Sequence, residues 1–132
     1  QKTAYEIRIR DWSSDVCSSD LAGLLDGDDP AQCAKREAEE ELGFRLANLR
    51  FMTTVYATPG AVTERLSLFI ADYDHQARIG AGGGEANEGE DIEVMEMPFE
   101  EMRRMVQDGR IVDAKTVLLS LFLERELGLP PL

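Results

Sequence analysis

The chain has 132 residues and a formal net charge of −12 at pH 7, from 14 basic and 26 acidic side chains. This charge argues against nucleic acid and anionic membranes as partners, because both are polyanions that would repel it. The length is enough for one domain with its own core but not for two. No apolar run reaches the roughly 20 residues that a membrane-spanning helix needs.

The first 21 residues read QKTAYEIRIRDWSSDVCSSDL, with no evident hydrophobic period, no capping pattern and no join to the chain that follows. They resemble translated sequencing adapter. Gln1–Ile7 and Asp11–Leu21 correspond to the two ends of a common library primer, and Arg8–Arg10 fit a variable index between them. We therefore exclude residues 1–21 from the fold as adapter-derived and assign residues 22–132 to one partial domain.

The exclusion of this segment also removes Cys17 and leaves Cys33 as the only native cysteine. A disulfide within one native chain is then impossible. Since disulfide-stabilised proteins belong to oxidising compartments, the simplest expectation is a cytoplasmic protein.

The first predicted element of the remaining chain is a helix from about Pro30 to Leu42. Asp29 is placed to cap its exposed amides, and a proline suits the first helical position, where its missing N–H costs nothing. Gly43 is expected to end the helix. Small apolar residues form one face that would pack closely against a sheet: Cys33, Ala34, Ala38 and Leu42.

Three carboxylates lie on the opposite face of this helix, because Glu37, Glu40 and Glu41 stand at spacings i, i+3 and i+4. Like charges at such spacings repel by about 0.2–0.5 kcal/mol per pair unless a cation neutralises them. Magnesium takes oxygen ligands and leaves positions for water and phosphate oxygens, so the pattern indicates chemistry on a phosphate ester or pyrophosphate. The alternative is a solvated acidic face, which is common in acidic chains.

The residues around these carboxylates resemble a Nudix box, whose core reads R-E-aliphatic-x-E-E-x-G-aliphatic. Its positions are matched by Gly23, Arg36, Glu37, Ala38, Glu40, Glu41, Gly43 and Phe44. The segment between Gly23 and Arg36 is one residue shorter than the family pattern, and its acidic position holds Asp28 or Asp29 in place of glutamate.

The Nudix resemblance implies a metal site and a fold. Its metal ligands would be Glu37, Glu40, Glu41 and the backbone carbonyl of Ala22, and Arg36 would orient the glutamates through charge-assisted hydrogen bonds. The cofactor would be Mg²⁺, with Mn²⁺ as the alternative. The fold class would be α/β, a Nudix-type α/β/α sandwich with a mixed sheet, whose N-terminal strands would be missing from this chain.

Beyond the box, the hydrophobic pattern predicts three strands and two helices. The strands are Leu46–Ala57, Arg65–Tyr73 and Asp91–Met97, and the helices are Phe99–Asp108 and Asp113–Glu126.

The turn after the first of these strands is similar to one in ADP-ribose pyrophosphatases and GDP-mannose hydrolases. Pro59, at this distance from the box, is typical of the nucleoside diphosphate sugar branch, and V-T-E over residues 62–64 favours the GDP-mannose type. The resemblance implies substrate contacts by Pro59, Gly60 and Glu64. A proline and glycine pair would form a hairpin turn in any case.

Five glycines within residues 80–89 leave the backbone there loosely restrained. This segment resembles the loop that carries the catalytic glutamate in the same branch. Glu88 and Glu90, directly before Asp91 and Ile92, match the branch pattern E-x-E-D-I. The alternative is a polar linker without a catalytic role.

Together these resemblances imply hydrolysis of the pyrophosphate bond of GDP-mannose or ADP-ribose to a nucleoside monophosphate and a sugar phosphate. Glu88 or Glu90 would act as the general base. The partner would be a small nucleotide sugar, and the intact parent would be a homodimer. Two alternatives stay open: a truncated, inactive nucleotide-binding remnant, or an acidic interaction module, although Glu124-Arg125-Glu126 interrupts the apolar patch which that module would need.

Overall fold

The computed structural model describes residues 29–56, 60, 65–83 and 93–131, and the backbone of residues 5–11 and 14–18. Five strands form one sheet in the order β3-β4-β2-β1-β5. The strands are β1 (Tyr5–Asp11), β2 (Ser14–Ser18), β3 (Leu49–Tyr56), β4 (Arg65–Asp72) and β5 (Glu93–Pro98). Because β1 and β5 are parallel and the other three pairs are antiparallel, the sheet is mixed.

Helices cover both faces of this sheet. They are α1 (Pro30–Glu37), α2 (Phe99–Gln107) and α3 (Ala114–Glu126). Since successive side chains of a strand point to opposite faces, Leu68 and Ile70 of β4 join the core cluster with α2 and α3, whereas Phe69 and Ala71 belong to the clusters with α1 and its extension. The predicted α/β/α sandwich with a mixed sheet is confirmed.

The box helix occupies the predicted residues but changes its geometry near its end. A π-helical turn, Ala38–Leu42, follows α1 directly, whereas the sequence predicted one continuous α-helix. The predicted packing face is confirmed, because Cys33, Ala34, Ala38 and Leu42 are all buried. Gly43 ends the helix in the left-handed conformation, at φ 72° and ψ 25°.

The start of this helix differs from the prediction in one detail. Pro30 takes the first helical position, as predicted, but the Asp29 side chain makes no capping hydrogen bond. The backbone carbonyl of Asp29 instead accepts hydrogen bonds from the amides of Gln32 and Cys33, at 2.9 and 3.1 Å. Of the two residues expected to start the helix, only Pro30 therefore acts as predicted.

The N-terminal strands depart from the expectation that they would be missing. β1 pairs with β5 and β2 pairs with β4, so residues 5–11 and 14–18 fill the two central positions between β4 and β5. A strand ladder uses only backbone groups, and residues 1–21 contain no proline to interrupt it. Tyr5, Ile7 and Ile9 also alternate with polar residues, which is a strand period that the sequence analysis overlooked. The adapter origin of residues 1–21 stays a prediction.

The later elements agree with the predicted ones to within a few residues. β3 begins at Leu49, three residues after the predicted start, and β4, β5, α2 and α3 lie within two residues of their predicted ends. Among the helices that the structure describes, none combines the length and the apolar character of a membrane span.

A buried ion pair joins α2 to α3. The Arg103 guanidinium donates to Glu124 Oε1 at 2.8 Å, to Glu100 Oε1 at 2.9 Å and to the carbonyl of Pro130 at 2.6 Å. The side chains of Arg103 and Glu124 are only 9% and 5% exposed. No sequence pattern indicates this pair, because the two residues lie 21 positions apart on different helices.

The N-terminus of α3 is capped by a titratable side chain. The Asp113 carboxylate accepts a hydrogen bond from the Thr116 amide at 2.8 Å and contacts the Lys115 ammonium at 3.2 Å. Burial acts to raise the pKa of Asp113, but these two contacts outweigh it and place the pKa below its ordinary value.

We expect Asp113→Ala to lower the free energy of unfolding by about 1 kcal/mol at neutral pH, as the loss of a helix cap does. Because the folded-state pKa of this carboxyl is depressed, its stabilisation is present above the unfolded pKa of about 4 and is lost as the pH falls through the lower folded value. Urea unfolding at pH 7 and near pH 3 measures the change. Asp113→Asn, which keeps an accepting oxygen and does not titrate, serves as the control. A destabilisation of Asp113→Ala that stays constant down to pH 3 would contradict the assignment.

Candidate metal centre

One guanidinium joins two of the three box carboxylates. Arg36 Nη2 lies 2.6 Å from Glu37 Oε1, and Arg36 Nη1 lies 3.0 Å from Glu40 Oε2. The nearby Glu37 carboxylate, and to a smaller extent that of Glu40, raises the pKa of Arg36. This is the geometry that an orienting arginine requires. Glu37 and Glu40 therefore share one cationic partner, the Arg36 guanidinium. The orienting role of Arg36 stays a prediction.

The burial of these carboxylates suits a partly shielded site. The side chains of Glu37 and Glu40 are 15% and 32% exposed, while that of Arg36 is 53% exposed. Glu41 is also half-buried. A charge at such depth interacts more strongly than it would in bulk water, because the surrounding dielectric is lower.

The side chains of Glu37, Glu40 and Glu41 suit a hard divalent cation, since all three offer carboxylate oxygens as ligands. In the part of the chain that the structure describes, no three acidic, histidine or cysteine side chains converge closely enough to enclose an ion. Glu37 and Glu40 come together on Arg36, and a cation that binds them would compete with this guanidinium. Metal ligation by Glu37, Glu40 and Glu41 therefore stays a prediction.

Cys33 contributes to the same cluster in a way that the sequence analysis missed. Its Sγ lies 3.6 Å from Arg36 Nη2 and 3.9 Å from Glu37 Oε1, and the residue is buried with 6% exposure. The spacings i, i+3 and i+4 were the available signal, because such residues are neighbours on a helix. Cys33 therefore belongs to the buried face of the helix and also contacts two residues of the acidic cluster.

The end of the box helix rests against the segment that follows β4. Phe44 and Arg78 form an isolated antiparallel bridge, and the amide of Gly83 donates to the carbonyl of Glu41 at 2.8 Å. The ring of Phe44 packs edge-on against Tyr73, with ring centroids 5.0 Å apart. Backbone contacts thus fix this helix end against residues 78–83.

A tyrosine also links this region to β5. Tyr73 Oη donates to Glu96 Oε1 at 3.0 Å, and Tyr73 is buried while the backbone of Glu96 lies in β5. Neither residue belongs to a motif of the sequence. The alternation of acidic and apolar residues in this strand gave only a weak signal, since it predicts an outward-facing glutamate.

Most of the other candidate residues lie outside the described part of the chain. These residues are Ala22, Pro59, Glu64, Glu88 and Glu90. Gly60 is described as an exposed turn residue with open space around it. The predicted roles of all six residues therefore stay predictions.

Residues 7–119 match the model of the NUDIX domain family. The chain belongs to this family, and the resemblance read from the box is confirmed.

The chain is also similar to proteins named GDP-mannose pyrophosphatase. It is 42% identical over 123 residues to those of Escherichia coli O1:K1 / APEC, Escherichia coli (strain K12) and Shigella flexneri serotype 5b (strain 8401). The aligned part makes up 90% of this chain and 63% of each relative, so the chain spans less than two thirds of the length of these curated relatives.

Proposed function

We propose that the chain belongs to an enzyme that hydrolyses the pyrophosphate bond of a nucleoside diphosphate sugar, GDP-mannose or ADP-ribose, to a nucleoside monophosphate and a sugar phosphate. The observation that carries this proposal is the arginine-bridged carboxylate pair on the box helix. The names of the relatives support the substrate class.

The chemical obstacle in this reaction is the negative charge of the substrate. The pyrophosphate repels an attacking oxygen nucleophile, so an enzyme must neutralise the phosphate oxygens and ionise water near them. Glu37, Glu40, Glu41 and the carbonyl of Ala22 would hold Mg²⁺, or Mn²⁺ in its place. When bound, a divalent cation supplies both the neutralisation and a lower pKa of the attacking water.

The side chains of the protein then direct the transfer. Glu88 or Glu90 accepts the proton of the attacking water as its oxygen forms a bond to phosphorus. The bond from that phosphorus to the bridging oxygen breaks, and the electron pair leaves on the departing phosphate. Pro59, Gly60 and Glu64 would contact the substrate, and Arg36 would hold Glu37 and Glu40 in place.

The state of the protein in the cell forms part of the same proposal. We propose that residues 22–132 form one partial hydrolase domain, as the sequence predicts, and that its intact parent is a cytoplasmic homodimer. The substrate is a small nucleotide sugar, and the net charge of −12 disfavours nucleic acid and membrane surfaces as partners.

A second candidate function is an inactive, nucleotide-binding remnant. The observation that favours it is the pairing of Glu37 and Glu40 with Arg36, because this guanidinium already neutralises two of the carboxylates that a metal ion would need. A remnant would bind the nucleotide without turning it over. Activity thus separates the two proposals.

The test is product analysis of the 132-residue chain after incubation with Mg²⁺ and either GDP-mannose or ADP-ribose. We expect release of GMP or AMP, and we expect Glu41→Gln to lower its rate by about tenfold or more, because a metal ligand is lost. Glu39→Gln is the matched control, since Glu39 lies on the same turn but pairs with Arg45 at 2.9 Å. If no nucleotide is released from either substrate, while the chain still binds GMP, the remnant interpretation is correct.

A further inference from the structure

Two glycine-containing backbone segments meet at the end of the box helix, and we call this contact the glycine clamp (residues 41–43 and 79–83). The amides of Ile79 and Gly80 donate to the carbonyl of Gly43, at 2.8 and 3.1 Å. The amide of Gly83 donates to the carbonyl of Glu41 at 2.8 Å. The second segment therefore satisfies carbonyl groups at the end of the helix.

The clamp provides hydrogen-bond donors for carbonyl groups that have no donor within the helix. The last carbonyl groups of a helix accept no hydrogen bond from an amide of the same helix. In the π-helical turn, the amides of both Gly43 and Phe44 donate to the carbonyl of Ala38. The carbonyl of Glu41 instead accepts a hydrogen bond from the amide of Gly83, which lies 42 positions later in the chain. The peptide group next to the Cα atom of Glu41 is therefore held from outside the helix.

Close packing makes glycine necessary at the centre of the clamp. Gly82 has φ +71°, and a Cβ atom there would lie 2.5 Å from the carbonyl oxygen of Glu41 and 2.7 Å from the carbonyl carbon of Leu42. Gly43 has φ +72°, and a Cβ atom added at this position would lie 2.5 Å from the carbonyl oxygen of Gly80. These neighbours are backbone atoms, so no side-chain rotation could relieve the overlap. A larger residue at position 82 would have to displace the carbonyl groups of Glu41 and Leu42, and one at position 43 would have to displace that of Gly80.

We propose that the glycine clamp positions Glu41 for binding a divalent cation, and that Gly82 is a positioning residue of this site. The inference rests on the proposed function, in which the Glu41 carboxylate is a metal ligand. The clamp holds the main-chain carbonyl of Glu41, and so fixes the backbone from which the Glu41 carboxylate extends. Loss of the contact would therefore weaken metal binding without removing any ligand.

The chain offers a matched pair of variants, Gly82→Ala and Gly109→Ala. Gly109, which follows α2, has φ +78°, and nothing lies within 4 Å of a Cβ atom there. Both variants pay the strain of a left-handed alanine, but only Gly82→Ala collides with the main chain of Glu41. The difference between them isolates the contact from the strain.

The readout is the dissociation constant of Mn²⁺, measured by electron paramagnetic resonance of the free ion. We expect it to rise by about 10- to 100-fold in Gly82→Ala relative to Gly109→Ala, the range found when groups that support metal ligands are lost. Thermal melting of both variants reports folding. Equal dissociation constants in two folded variants would overturn the positioning role.

A second measurement on the unaltered chain covers the case in which Gly82→Ala does not fold. If opening of the clamp requires loss of the metal, hydrogen exchange of the Gly83 amide should slow by about 100-fold when Mn²⁺ or Mg²⁺ is at 100 times its dissociation constant. The amide of Gly109, which donates to the carbonyl of Val106 at 3.3 Å, is the internal control and should not change. Metal that binds without slowing the Gly83 amide would overturn the coupling.

The outcomes separate this inference from the function on which it rests. An unaltered chain that neither binds Mn²⁺ nor releases nucleotide would overturn both. An unaltered chain that does both, with equal metal affinity in the two alanine variants, would overturn only the role of the clamp.

Discussion

We expect Glu88→Gln to lower kcat by about two orders of magnitude or more while leaving KM nearly unchanged. Under the proposed mechanism, Glu88 accepts the proton of the attacking water, and general base catalysis typically supplies a factor of this size. The amide of glutamine is similar in size and polarity but cannot accept that proton at neutral pH. Because substrate binding does not depend on the proton transfer, the loss should fall on kcat.

Steady-state kinetics with the substrate identified by product analysis would measure this effect. Glu85→Gln serves as a control from the same acidic segment, because Glu85 lies outside the E-x-E-D-I pattern. If Glu90→Gln shows the large loss and Glu88→Gln does not, the base is Glu90. If neither variant loses more than the control, the general base lies elsewhere in the protein.

We expect Arg103→Met to lower the free energy of unfolding by about 3–5 kcal/mol. Its guanidinium is the cationic partner of Glu124, whose side chain is 5% exposed. Without it, a carboxylate would stay buried and unpaired, which is among the most costly changes in a protein interior. The methionine fills much of the volume, so the loss would come mainly from the charge.

Urea unfolding of two further variants tests the cause of this loss. In Arg103→Met with Glu124→Met, both charges are replaced by apolar groups, and most of the stability should return. Arg50→Met is the matched surface control, because Arg50 also bridges two carboxylates, at 2.6 Å to Asp72 and 3.2 Å to Glu126, but its side chain is 37% exposed. It should cost no more than about 1 kcal/mol. Equal losses for the two single variants would show that burial is not the cause.

Local signals were sufficient for most of the architecture. Pro30 and Gly43 mark the two ends of the box helix, because each is favoured by the backbone geometry at its end. The hydrophobic period of α2 likewise reports which face meets the core, since Phe99 and Met102 are buried. The box also identified the family, since its glycines, arginine and glutamates stand at fixed spacings.

Contacts between distant segments could not be predicted in this way. Nothing near Gly82 in the sequence indicates that it meets Glu41, and nothing near Arg103 indicates a buried partner on another helix. Such contacts depend on how elements pack, whereas periodicity reports only the environment of one element. The two N-terminal strands were missed for a different reason, because a resemblance to adapter outweighed the alternation of Tyr5, Ile7 and Ile9.

The π-helical turn has a consequence for changes in chain length. It holds one residue more than the α-helical turn that it replaces. Removal of one residue from 39–41 would let an α-helical hydrogen bond, four residues long, replace the five-residue one from the Gly43 amide to the Ala38 carbonyl. Because that hydrogen bond closes one turn in either form, Cys33 and Ala34 would keep their direction, and Gly43 would keep its place in the glycine clamp. The extra residue therefore matters for the spacing of the glutamates within the turn, and a one-residue deletion would change the acidic face while leaving the buried face in place.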